Sequence, residues 1–68
     1  MGMSKTKADI DFQIADYQRQ IEFHKGVMAN AKLYKHGGWQ NQVAHCQSEI
    51  AMLKTKIARA RAERKSAK

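Results

Sequence analysis

An all-α architecture, an antiparallel helical hairpin built as a two-helix coiled coil, is expected of this 68-residue chain. Three features lead to it. Apolar residues step by four and three in two separate blocks, a Gly-Gly pair stands between the blocks, and proline is absent. The alternating step keeps one apolar line of a helix turned toward a neighbouring helix. In a chain without proline, paired glycines are the strongest break available.

Residues 1–6 are expected to be a disordered N-terminus. Met1-Gly2-Met3-Ser4-Lys5-Thr6 matches the loose pattern for N-myristoylation, but Met1-Gly2 is read as a short lead before a start at Met3, and lipidation is not expected. The first helix is placed at 7–35. Thr6-x-x-Asp9 is a capping signal, and Asp9 and Asp11 put negative charge at the positive end of the helix dipole. Its seam is Ile10, Ile14, Tyr17, Ile21, His24, Met28 and Ala31. His36-Gly37-Gly38 forms the turn, where the glycines offer a left-handed cap. The second helix is placed at 39–64, with a seam of Trp39, Val43, Cys46, Ile50, Leu53, Ile57 and Ala60. A basic tail occupies 65–68. One continuous helix is disfavoured, because two adjacent glycines in a helix interior cost about 2 kcal/mol.

Two helices joined by a short turn pack antiparallel. Aligned from the turn outward, the seams pair Ala31 with Val43, Met28 with Cys46, His24 with Ile50, Ile21 with Leu53, Tyr17 with Ile57, Ile14 with Ala60 and Ile10 with Arg64. Large side chains face small ones in several layers. At the open end Asp11 is expected near Arg61, while Arg64 lays its stem over Ile10 and keeps its head in water.

Such a hairpin is a thin rod about 40 Å long, and a chain of this size rarely supplies more than about 3–5 kcal/mol from its own core. One cysteine closes no internal disulfide. The first helix also carries apolar residues that the seam does not use. Phe12, Phe23, Gly26, Val27, Asn30, Leu33 and Tyr34 are therefore read as a dimer or partner interface, with Phe23, Val27 and Tyr34 as its stripe. The expected assembly is a homodimer, a four-helix bundle in which the stripe meets its copy. A protein partner of another kind could use the same surface.

Thirteen Lys and Arg against six Asp and Glu give a net charge of +7, and the excess is uneven. Lys54, Lys56, Arg59, Arg61, Arg64, Lys65 and Lys68 crowd the last fifteen residues, opposed only by Glu63. These are the candidate nucleic-acid contacts, since a basic cluster binds phosphates and releases counterions. A solvated helix end explains them as well, because cations favour the negative end of the dipole. No aromatic side chain lies among them to stack on a base.

Neither a metal nor a cofactor is expected. His24 and Cys46 fall in adjacent layers, His36 lies at the turn, and His45-Cys46 are sequence neighbours pointing apart. Cys46 reads as a small buried hydrophobe. There is no phosphate loop, no nucleophile elbow and no cleft for paired carboxylates, so catalysis is not expected. No apolar run approaches the roughly 20 residues of a membrane span, and the expected location is the cytoplasm.

In layout the hairpin resembles the plasmid-encoded RNA-binding hairpin dimers that regulate copy number. In size, basic charge and compactness the chain resembles the small accessory proteins of bacteriophage early regions. That resemblance implies a non-enzymatic interaction or regulatory protein that homodimerises, binds a macromolecular partner and modulates a host process. The alternative is a nucleic-acid-binding regulator that uses the basic end of the second helix.

Overall fold

The computed structural model describes residues 5–67 as two antiparallel helices, α1 (Lys7–Tyr34) and α2 (Trp39–Ser66). Readings that fall on residues 1–4 and on Lys68 lie outside the described residues. The hairpin measures 48 × 20 × 15 Å. It is the rod that the two seams imply.

Thr6 starts α1 from an extended backbone (φ −79°, ψ 164°). Its hydroxyl accepts from the Asp9 N–H at 3.2 Å, and the Asp9 carboxylate accepts from the Thr6 N–H at 3.2 Å. This reciprocal pair satisfies two donors that the first turn leaves orphaned, a cap worth about 1 kcal/mol. Asp9 alone occupies the first turn. Asp11, expected to share that role, sits further in and has another partner.

The turn is wider than 36–38 and its left-handed residues differ from those expected. Lys35, not a glycine, takes φ 52° at the end of α1, and its N–H reaches the Ala31 carbonyl at 2.8 Å. Gly38 takes φ 79° immediately before α2, while Gly37 keeps out of the left-handed region. Helix α1 thus ends one residue earlier than the sequence suggests. The stacked rings of Tyr34 and His36, and Lys35 Nζ at 5.7 Å from the Trp39 ring, cover this end. At the other end α2 continues to Ser66, so Lys65 is helical rather than part of a tail.

All nine buried hydrophobic residues belong to the two seams, and no charged or polar residue is buried among the described residues. Ile21, Ile50, Leu53 and Ile57 form the central cluster, with Ile14, Tyr17 and Met28 packed against it. Ile10 is fully buried and Cys46 nearly so. The remaining seam positions, His24 and Trp39, are half-buried. Ile10 lies at the open end beside Asp11, the residue that Arg64 holds from α2.

Arg64 closes that end by gripping Asp11: Nε donates to Oδ1 at 2.6 Å and Nη2 to Oδ2 at 3.2 Å. The expected partner, Arg61, is one turn short. Arg64 occupies the seam position and presents its planar fork squarely to the carboxylate, a geometry that favours bidentate pairing. This hydrogen bond is the main reason that the Asp11 carboxyl is held below its ordinary value of 3.8. The same bond raises Arg64.

Four variants test this construction. Leu53→Ala is expected to cost about 2–5 kcal/mol in urea unfolding, enough to leave the hairpin largely unfolded. Gly38→Ala is expected to destabilise by about 1–2 kcal/mol because a Cβ strains a left-handed residue. Gly37→Ala, unstrained and with nothing within 4 Å of the added carbon, is expected to stabilise by about 0.4–1 kcal/mol. Because the folded Asp11 is lowered, its contribution is present above the unfolded value and is lost as pH falls through the folded one. Asp11→Asn is therefore expected to be less stable than the parent at pH 7, with the difference closing below about pH 3.9.

Candidate interaction surfaces

The helical repeat sorts the exposed residues of α1 onto faces. Phe23, Val27, Asn30 and Tyr34 step by four, three and four, and Gly26 and Leu33 lie on the adjoining outer line. All six fall within an arc of about 100° on the C-terminal half of α1. Phe23 is 67% exposed, Tyr34 62% and Leu33 73%, while Val27 is half-buried. The space above Gly26 is open to 4 Å. Phe12, the seventh residue of the expected interface, is also exposed and falls on the line of Gly26 and Leu33, nearer the open end and among polar neighbours. It precedes Phe23 by three turns, about 16 Å, and its depression is otherwise lined by Lys5, Asp9, Gln13 and Asp16.

Helix α2 contributes to this face a residue absent from the expected interface. Lys56 Nζ lies 5.9 Å from the ring of Tyr17, whose hydroxyl accepts from Gln13 at 3.0 Å. Those contacts fix which side of α2 borders the Gln13–Gln20–Val27–Tyr34 line. Met52, four residues before Lys56, shares that side and is 50% exposed. The layer of Ile21 with Leu53 puts it level with Phe23. Within Ile50-Ala51-Met52-Leu53 the seam takes Ile50 and Leu53, so an outward methionine was legible as a lone apolar residue on a polar face. His24 adjoins the patch, its ring edge-on to Phe23 at 5.5 Å.

The basic residues are not gathered into one surface. Lys54, Lys56, Arg59, Arg61, Arg64 and Lys65 are all exposed, but the helical repeat divides them. Lys56 and Arg59 border Tyr17 and Gln13 on one flank. Lys54 and Arg61 border Lys25 and Gln18 on the other. Arg64, taken in sequence as a phosphate contact, is engaged by Asp11.

Among the described residues no three His, Cys, Asp or Glu side chains converge on a point. His45 Nε2 and Glu49 Oε1 are 3.9 Å apart on the surface, and Cys46 is buried in the seam. No helix among the described residues is long and apolar enough to cross a membrane. Comparison with protein-family models, curated proteins and solved structures finds no match to this chain.

Proposed function

We propose that the chain is a small non-enzymatic interaction protein that pairs with a second copy of itself and, as a dimer, binds and modulates another macromolecule. The observation that carries this reading is the exposed aromatic patch: Phe23 and Tyr34 on α1, with Val27 between them and Met52 beside them. A two-fold dimer lets one patch meet its copy and turns two thin hairpins into a four-helix bundle. Surface area supports the reading. The chain exposes 5348 Å², whereas a compact monomer of its mass exposes roughly 4,400 Å². On the resemblance to phage accessory proteins, the bound macromolecule belongs to a host process, and the dimer acts in the cytoplasm.

Sedimentation equilibrium of the parent and of Val27→Glu tests this reading. Val27 lies outside the seam, so the variant is expected to keep its helical circular dichroism. A charge forced into the interface is expected to weaken dimerisation at least 100-fold, since burying an unpaired carboxylate costs several kcal/mol. A dimer of unchanged strength contradicts the patch as interface.

One observation favours a second reading, a nucleic-acid-binding regulator. Lys54, Lys56, Arg59, Arg61 and Lys65 are exposed, and none takes part in an ion pair among the described residues. On that reading, affinity for duplex DNA or structured RNA falls steeply between about 50 and 200 mM salt, and replacing Arg59, Arg61 and Lys65 by Gln flattens the slope by about three contacts. Unchanged affinity in the triple variant rejects it.

A further inference from the structure

The flank of the hairpin that carries Lys25 and Lys54 holds a channel. Two open depressions of about 430 and 300 Å³ share those two lysines and so run together alongside the seam. Their floor is the outer edge of the core, Ile21, Ile50 and Ile57, and Ala51 and Ala58 also line them. The two alanines are seven residues apart on one line of α2, and both are exposed. Lys54 and Arg61, each three residues after an alanine, share that face and stand between the alanine line and the isoleucines. From Gln47 to Arg61 the channel follows α2 for about 21 Å, or four helical turns.

Its rim is basic. Lys25, Lys54 and Arg61 stand along it, and Glu22 is the acid among the residues that line it. Glu22 pairs with Lys25 at 3.3 Å, which leaves the charge of Lys54 and Arg61 facing the channel without an opposing carboxylate in its lining. The isoleucine floor, between Lys25 on α1 and Lys54 and Arg61 on α2, is complementary to a helix with an apolar stripe and acidic flanks.

We propose that this channel docks an acidic amphipathic helix of a partner protein, apolar side chains over the isoleucine floor and carboxylates against Lys54 and Arg61. The inference rests on reading the chain as an interaction protein and gives the chemistry of what it binds. A second copy is a poor occupant, because a chain of net charge +7 brings more cations to a cationic rim. A nucleic acid would use the rim but not the floor, which offers an apolar surface with no aromatic ring for a base to stack on.

Titration of the ¹⁵N-labelled full chain with a helical peptide of about 15 residues, leucine along one face and glutamate on both sides of it, tests the channel. The comparison arms are a peptide of the same composition with leucine and glutamate interchanged in order, and a short DNA duplex. The amide signals of Ala51, Lys54 and Ala58 are expected to move with the first peptide, and the reordered peptide is expected to bind at least tenfold more weakly. Ala58→Glu sets a carboxylate one helical turn from both Lys54 and Arg61, where it competes for their charge, at an exposed position that tolerates glutamate in a helix, and is expected to lose at least tenfold in affinity while keeping the parent's circular dichroism. Equal binding of both peptides, an unaffected Ala58→Glu, or movement of the same signals by the duplex and not by the peptide overturns the inference. A chain that dimerises in a Val27-dependent way but shows no response at Ala51 and Ala58 rejects the channel alone. One that neither dimerises nor responds rejects the interaction reading with it.

Discussion

Packing of Ile21 against Ile50, Leu53 and Ile57 is the interaction on which the rest of the hairpin depends. Two helices of 28 residues each have one shared line of contact, and every buried hydrophobic residue lies on it. Burial there must offset the ordering of two long helices, since capping and surface ion pairs contribute only about a kcal/mol or less apiece. The seam also sets the register. Once Ile21 sits opposite Leu53, Arg64 arrives beside Asp11 at one end and Lys35 to Gly38 must reverse the chain at the other. The Asp11–Arg64 pair is exposed and screened by solvent, so it selects this alignment more than it strengthens it.

A single seam has a second consequence, which is that the two flanks of the rod are free to differ. One gathers Phe23, Val27, Tyr34 and Met52 near the turn. The other gathers Lys25, Lys54 and Arg61 around a floor of isoleucine. Residues that in sequence form one basic run are separated by the helical repeat onto both sides, so charge density along the chain overstates charge density in space. The aromatic residues behave oppositely. Spread over α1 in sequence, all seven interface positions share one arc, with Phe12 three turns further toward the open end.

The hairpin was legible because its signals agree: the four-three spacing, the absence of proline and the Gly-Gly break all point to one topology. What the sequence obscured was local geometry. The αL residue fell on Lys35 because the chain is already turning when Tyr34 completes the last helical turn, and the side chain of Lys35 can lie over Trp39. Arg64 displaced Arg61 as the partner of Asp11 because seam alignment, rather than residue spacing alone, decides which guanidinium reaches the carboxylate. Met52 and the basic-rimmed channel depend on which side of α2 borders which side of α1, and that relation exists only once the helices are packed. The Thr6–Asp9 capping box, by contrast, is a local device and was readable from four residues.

Because every surface described here presumes that α1 folds back on α2 within one chain, the most direct measurement is a distance between spin labels at Ala8 and Ser66 in a Cys46→Ala background, read by pulsed electron paramagnetic resonance with labelled chains diluted in unlabelled ones. Both positions are exposed and lie at the open end. The hairpin predicts about 20 Å, one interhelical spacing plus the reach of two labels. A distance near 87 Å, the length of a helix running unbroken through Gly37 and Gly38 at about 1.5 Å per residue, would contradict it.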